Sequence, residues 1–185
     1  MFCVHDTRVS ASYMQCVTYK KIMQLTLALD AFAIFVAQYL YIFVLILGAI
    51  YFFTRPKRVM KSMLICGVIV APLAFIISRI AQLFYYDPRP FVVGHFTPLI
   101  AHAADNGFPS DHMLLASAVA MIVSFYSKKW GIVFWALALL IGWARVFVGV
   151  HHWTDIIGSV VINLVAGLAY YFTAGRRGKP AERRG

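Results

Sequence analysis

The chain has 185 residues, of which 62% are hydrophobic, 16% aromatic and only 13% charged. Soluble domains are roughly 45–50% apolar and about 25% charged, so this composition indicates an integral membrane protein. The formal net charge of +10 does not indicate nucleic-acid binding, because most basic residues lie in three short polar segments beside apolar runs. These are Arg55, Lys57, Arg58 and Lys61; Lys128 and Lys129; and Arg176, Arg177, Lys179, Arg183 and Arg184.

The apolar runs predict five transmembrane helices in a single membrane-embedded domain, 1–185. A helix needs about 20 apolar residues to cross a hydrocarbon core about 30 Å thick. In chain order, the predicted spans cover residues 31–53, 62–86, 112–126, 131–150 and 153–174. Residues 18–29 predict an interfacial amphipathic helix within an N-terminal segment, 1–30, and 175–185 predict a flexible basic cytoplasmic tail. The expected fold class is an all-α, polytopic membrane helix bundle.

The basic segments predict the orientation, because cytoplasmic loops are enriched in Lys and Arg. If 54–61, 127–130 and the tail are cytoplasmic, alternation places the 87–111 loop and residues 149–155 on the external face. Three polar motifs then gather at that face. They are YYDPRPF at 85–91, FPSDH at 108–112 and the stretch from Arg145 to Asp155.

Arg89 and Arg145 are predicted to bind phosphate. Arginines near span ends often extend to the interface as anchors, but the anchoring arginines of this chain concentrate on the cytoplasmic side. A guanidinium is a planar fork of donors that matches two phosphate oxygens at once. Two such forks that converge would bind a dianionic phosphate without a metal ion.

Ser110 and Asp111 are predicted to begin the third span, with one of them as the helix cap. The free backbone N–H groups at the start of a helix bind anions. We therefore expect a phosphate-binding helix terminus at this point, which is compatible with capping.

The histidines suit phosphoryl transfer, which needs in-line attack on phosphorus and a proton for the leaving oxygen. One of His112 and His151 can attack while the other protonates the leaving group. Asp155 follows His151 by four residues and His152 by three, so helical spacing allows its carboxylate to orient either ring. Such a carboxylate holds the ring in one tautomer and stabilises the imidazolium that forms.

The spacing of the histidines disfavours a metal or haem site. His95, His102, His112, His151 and His152 share the external face, but no HExxH or paired-cysteine spacing is present. Haem ligation would need histidines within facing helices, and the first, second and fifth predicted spans contain none. We expect no metal ion and no cofactor.

Together these motifs resemble the signature of the type 2 phosphatidic acid phosphatase superfamily of membrane lipid phosphatases. That signature is KxxxxxxRP, PSGH and SRxxxxxHxxxD, and this chain has QLFYYDPRP at 82–90, PSDH at 109–112 and ARVFVGVHHWTD at 144–155. The chain departs from it at Gln82, Asp111 and Ala144, which replace Lys, Gly and Ser. Within that superfamily the chain resembles the bacterial undecaprenyl-diphosphate phosphatases associated with bacitracin resistance, through its PSDH and DPRPF motifs and its five spans.

The resemblance implies a role for each matching residue. His151, which five residues separate from Arg145, would be the nucleophile that forms a phosphohistidine. His112 would be the general acid, Asp155 would orient His151, and His152 receives no catalytic role. The implied phosphate-binding residues are Arg89, Arg145, Ser110, Asp111 and Gln82.

The implied substrate is a polyprenyl diphosphate, undecaprenyl diphosphate, cleaved without metal at the external face of a bacterial cytoplasmic membrane to recycle the cell-wall lipid carrier. Other lipids are open as alternatives, namely phosphatidylglycerol phosphate, phosphatidic acid or the lipid A headgroup. A non-catalytic protein that binds or transports a lipid diphosphate is a further alternative, although binding alone needs no pair of histidines. The sequence does not determine the oligomeric state.

Overall fold

A computed structural model describes the backbone of residues 10–174 and the side chains of residues 22–173. Its described part is helical, apart from one isolated β-bridge between Pro88 and Asn106. The helices are α1 (Ser10–Phe53), α2 (Lys57–Phe84), α3 (Pro90–Val93), α4 (Asp111–Ser124), α5 (Lys128–Phe147) and α6 (Trp153–Ala174). The predicted all-α membrane bundle is confirmed.

Within the described residues, four helices are long and apolar enough to cross a membrane: Ile22–Phe53 of α1, α2, α5 and Trp153–Thr173 of α6. The remaining predicted span is α4, an apolar helix of 14 residues. Each of these five helices coincides with a span predicted from an apolar run. In lipid, a single apolar stretch satisfies its backbone hydrogen bonds only as a helix.

α1 differs from the predicted division into an interfacial helix and a first span. It is one continuous helix of 44 residues, and residues 18–29 lead directly into the span. No Gly or Pro occurs between residues 10 and 47, so nothing interrupts the helix. At ~1.5 Å per residue α1 is about 66 Å long. Residues 1–9 and the predicted tail at 175–185 lie outside the described residues.

α4 is the shortest span and lies at the centre of the bundle. Its 14 residues rise about 21 Å, less than the ~30 Å core. It packs against α1, α2, α5 and α6, and Met113, Ala116, Ala120 and Val123 are buried there. Because protein surrounds α4 on several sides, its polar first turn opens into the bundle instead of into lipid.

α1 and α5 run in opposite directions. Tyr51 near the end of α1 packs against Trp130 at the start of α5, whereas Phe32 packs against Trp143 near the end of α5. The ends of α2 and α5 and the starts of α4 and α6 then meet at one end of the bundle. The three polar motifs lie at that end, opposite the two basic segments that the structure describes, Arg55 to Lys61 and Lys128 and Lys129.

The connection between α2 and α4 is held to the bundle by Asn106. Its side-chain oxygen accepts hydrogen bonds from the backbone N–H groups of Asp87 and Phe108, at 3.0 and 3.1 Å. Its amide nitrogen donates to the carbonyl of Tyr85 at 3.1 Å. One side chain therefore joins the end of α2 to the residues that begin α4.

A glycine turn between α5 and α6 directs the chain back to the site. Gly149 has a φ of +83°, a conformation that costs about 1–2 kcal/mol for a residue with a Cβ. A Cβ at this position would lie 2.7 Å from the ring of Phe96. The carbonyl of Val148 accepts a hydrogen bond from Leu99 at 3.0 Å, so the connection and the turn support each other.

We expect Gly149→Ala to lower the melting temperature of the purified protein in detergent, because both the backbone and Phe96 must shift. The loss of stability should be at least about 1–2 kcal/mol. Gly67→Ala in α2 is the matched control, since its Cβ would meet only Ile122 at an ordinary 3.8 Å and alanine favours a helix. Equal melting temperatures for the two variants would contradict the strained turn.

Candidate active site

Asp155, in the first turn of α6, is fully buried. One of its oxygens accepts a hydrogen bond from Nδ1 of His151 at 3.1 Å and from the backbone N–H of His152 at 2.9 Å. Because the carboxylate accepts from Nδ1, the proton of a neutral His151 lies there and the lone pair is on Nε2. Of the two rings that helical spacing allowed, Asp155 orients that of His151.

Two guanidinium groups converge on the other nitrogen of His151. Nε2 lies 3.3 Å from Nη1 of Arg89 and 3.3 Å from Nη2 of Arg145. Both arginines are buried. The free lone pair of the imidazole therefore points between two forks of donors that suit phosphoryl oxygens.

The two arginines differ in how their charge is balanced. Arg89 donates through Nε to Asp105 at 2.7 Å and through Nη1 to the carbonyl of Val150 at 2.9 Å. Among the described residues no carboxylate pairs with Arg145, and its Nε is buried without a hydrogen-bond partner. A buried charge without a counter-charge is costly, so this corner is suited to an anion.

Burial lowers the pKa of His151, and the nearby charges of Arg145 and Arg89 lower it further, whereas the hydrogen bond that His151 donates to Asp155 raises it. The net effect is a pKa below the ordinary value of 6.5. His151 is therefore neutral at pH 7, with Nε2 available as a nucleophile.

His112 and Ser110 mark the start of α4. His112 lies in its first turn, with its ring edge-on to Tyr41 of α1 at 4.7 Å between centroids. Ser110 is the N-cap residue, but its side chain makes no capping hydrogen bond. Its Oγ is fully buried and has no partner in the described part of the chain. The donors at this terminus are therefore available to an anion.

A polar cavity of about 270 Å³ joins these groups. Its walls include six of the eight predicted site residues, Gln82, Arg89, Asp111, His112, Arg145 and His151. The other two, Asp155 and Ser110, are buried behind the wall. The volume is just below the ~300–1,000 Å³ of typical small-molecule sites, which suits a phosphorylated headgroup and leaves a lipid tail outside.

His152 faces a different carboxylate. Its Nδ1 lies 3.2 Å from Asp87, near enough for an ion pair but not aligned as a hydrogen bond. Thr154 donates to the same carboxylate at 2.8 Å. Ligand atoms of Asp87, His152 and Asp155 lie within 4.8 Å of one another. Because the Asp155 oxygen already accepts two hydrogen bonds, these contacts explain the cluster and we assign no metal to it.

Asp105 and His102, which the motifs did not predict as site residues, also line the cavity. Burial raises the pKa of the Asp105 carboxyl, but the hydrogen bond and the charge of Arg89 outweigh it and hold the pKa below its usual value. The His102 ring lies 6.2 Å from that of His151. Burial lowers the pKa of His102, and the charge of Arg89 lowers it further. Their spacing in the sequence could not identify them as site residues, because they lie in a loop that has no regular periodicity.

Arg79 is a third addition, and it did have a signal in the sequence. It stands alone as a charge in the apolar part of α2, one helical turn before Gln82. Residues three apart share a helix face, so Arg79 lines the same cavity as Gln82. Its Nη1 donates to Gln82 at 3.0 Å, and its Nη2 contacts Asp111 at 3.5 Å.

Comparison with known proteins identifies the family. The model of the PAP2 superfamily matches residues 82–179, which contain all three motifs. The chain belongs to the PAP2 superfamily. Over 144 residues it is 35% identical to the undecaprenyl-diphosphatase BcrC of Bacillus subtilis (strain 168), covering 77% of this chain and 74% of that protein. It is 29% identical to the bacitracin transport permease protein BcrC of Bacillus licheniformis, covering 76% of this chain and 69% of that protein.

The fold agrees with that of a solved structure. The structure of Aquifex aeolicus LpxE superposes with a TM-score of 0.62 at 24% identity, covering 77% of this chain and 84% of that one. The family match and the relatives confirm the resemblance found in the sequence. The chain is a multi-pass membrane lipid phosphatase of the PAP2 type.

We expect His151 to titrate below pH 6.5, because burial and the two arginines disfavour its charged form. Asp155→Asn should lower the pKa further, since the carboxylate is the group that raises it. Titration of ¹⁵N-histidine-labelled protein by NMR measures both values, with His151→Gln to assign the signal. A pKa above 6.5, or a rise in Asp155→Asn, would contradict this electrostatic arrangement.

Proposed function

We propose that this protein hydrolyses undecaprenyl diphosphate to undecaprenyl phosphate and inorganic phosphate through a phosphohistidine intermediate. The observation that carries the proposal is the convergence of Arg89 and Arg145 on Nε2 of His151, whose Nδ1 donates to Asp155. The 35% identity to a protein named undecaprenyl-diphosphatase supports the substrate.

In the first step, Nε2 of His151 attacks the terminal phosphorus of the diphosphate. Arg89 and Arg145 exchange their contacts with Nε2 for the phosphoryl oxygens, whose charge they neutralise. The bond from phosphorus to the bridging oxygen breaks, and His112, whose protonated form the bound anionic substrate favours, donates its proton to that oxygen. Undecaprenyl phosphate leaves, and Asp155 stabilises the positive charge on the phosphorylated imidazole.

In the second step, water attacks the phosphorus of the phosphohistidine. His112, now neutral, accepts a proton from the water, and the phosphorus–nitrogen bond breaks to release inorganic phosphate. The backbone N–H groups of the first turn of α4, around Asp111, and the free Oγ of Ser110 hold the oxygens in both steps. Residues of the chain supply every proton and charge that this scheme needs, so it uses no metal ion.

The site is proposed to lie at the external face of a bacterial cytoplasmic membrane, in one phosphatase domain that spans the whole chain. The basic residues at the opposite end of the bundle support this orientation. The monophosphate product is then available to a reaction that loads the lipid carrier for cell-wall synthesis.

We expect purified protein to release phosphate from undecaprenyl diphosphate in the presence of EDTA, and His151→Ala to lose at least ~10³-fold in kcat. His152→Ala is the matched control. Because its contact with Asp87 is a partly exposed ion pair, the loss should stay within about fivefold. Protein denatured under alkaline conditions during turnover should carry a phosphate that is stable to alkali and labile to acid, and His151→Ala should carry none. Wild-type turnover in His151→Ala would overturn the mechanism.

A phosphatase for another lipid is the second candidate, because a cavity of about 270 Å³ contacts the headgroup and not the tail. A panel of undecaprenyl diphosphate, phosphatidylglycerol phosphate, phosphatidic acid and lipid A separates the two. We expect the highest kcat/KM for the diphosphate. A higher value for any monoester would assign the enzyme to that lipid, and binding without hydrolysis of any of them would indicate a transport protein.

A further inference from the structure

We propose that Arg79 binds the second phosphate of a diphosphate substrate, the one that leaves with the lipid, and so sets the preference for a diphosphate over a monophosphate. This inference rests on the proposed function and names the specificity-determining residue of the same site. Nothing in the motifs themselves assigns a role to Arg79.

Arg79 is held in place on three sides. Gln82 accepts from Nη1 at 3.0 Å, Asp111 lies 3.5 Å from Nη2, and the ring of Phe75 lies 4.7 Å beneath the guanidinium carbon. The side chain is still 47% exposed and lines the catalytic cavity. Its orientation is therefore set before a ligand arrives, while the donors that Gln82 and Asp111 leave free can still reach one.

Arg79 has different hydrogen-bond partners from the two catalytic arginines. Arg89 and Arg145 each lie 3.3 Å from Nε2 of His151, so they address the phosphoryl group that is transferred. Arg79 contacts Gln82 and Asp111 instead.

The chemistry decides what lies beside Arg79. In-line attack places the nucleophile and the leaving oxygen on opposite sides of phosphorus, and His112 protonates that oxygen. Arg79 is tied to Asp111, the immediate neighbour of His112. Arg79, Asp111 and His112 line the same cavity, so a group beyond the leaving oxygen that extends to this side meets Arg79, and in a lipid diphosphate that group is the second phosphate.

The ion pair with Asp111 does not block this role. The two side chains are 47% and 71% exposed, and the contact is long at 3.5 Å, so the pair contributes little to stability. A phosphate offers the guanidinium a bidentate, more highly charged partner. Asp111 in turn is balanced by Arg79, which explains how a carboxylate is tolerated beside a phosphate site.

The test compares a prenyl diphosphate with the prenyl monophosphate of the same chain length, in detergent and EDTA. Arg79→Ala should lower kcat/KM for the diphosphate about 10- to 100-fold, as expected for the loss of charge-assisted hydrogen bonds. The loss for the monophosphate should be at least tenfold smaller. Arg79→Lys keeps the charge without the planar fork of donors, so its kcat/KM for the diphosphate should lie between those of the wild type and Arg79→Ala. Arg58→Ala, an exposed arginine at the other end of α2, is the control.

A second measurement does not depend on turnover of the diphosphate. Arg79→Ala should weaken inhibition of monophosphate hydrolysis by methylenediphosphonate much more than inhibition by inorganic phosphate. Equal losses for both substrates or both inhibitors, or no loss for either, would overturn the role of Arg79 and leave the proposed function intact. A wild-type enzyme that cleaves the monophosphate and not the diphosphate would overturn the proposed function itself.

Discussion

The burial of two guanidinium groups beside one imidazole is the constraint on which this structure depends. Removing charged groups from water is expensive unless they are paired. Arg89 has Asp105 and a backbone carbonyl, whereas within the described part of the chain Arg145 has no carboxylate partner. In the proposed function a bound phosphoryl group supplies the missing charge, so that an arrangement that is costly when empty is matched to its ligand when occupied.

The surrounding fold serves to hold this arrangement. α4 is central and short, which places the donors of its first turn inside the bundle. Asn106 joins the end of α2 to the start of α4, and Gly149 turns the chain from Arg145 back to His151. A preorganised set of donors needs no reorganisation as charge develops on a phosphoryl group. Packing outside the cavity therefore contributes to the proposed chemistry by holding those donors in position.

Much of the fold was predictable, because a lipid environment imposes strong rules on sequence. Apolar runs of the required length predicted the spans, and basic segments predicted which ends lie together. Residues 18–29 are helical as predicted, but they continue into the first span, because a mixed composition does not show where one helix ends and another begins. The motifs also identified eight residues that the structure places in or behind the cavity wall. They did not identify Asp105 and His102, which come from a loop whose course depends on its tertiary contacts. Arg79 could have been found from its spacing to Gln82.

The sequence by itself determined the membrane class, the helical bundle and the kinds of group at the site, because hydropathy and side-chain chemistry are properties of the residues. Helical spacing left open which histidine Asp155 orients, the resemblance implied His151, and the tertiary structure shows the contact. Helical spacing does not apply there, since His151 and His152 precede the first residue of α6. The turn at Gly149 directs His151 toward the two arginines and leaves His152 to Asp87. That choice depends on where α5 and α6 pack, which no local pattern records.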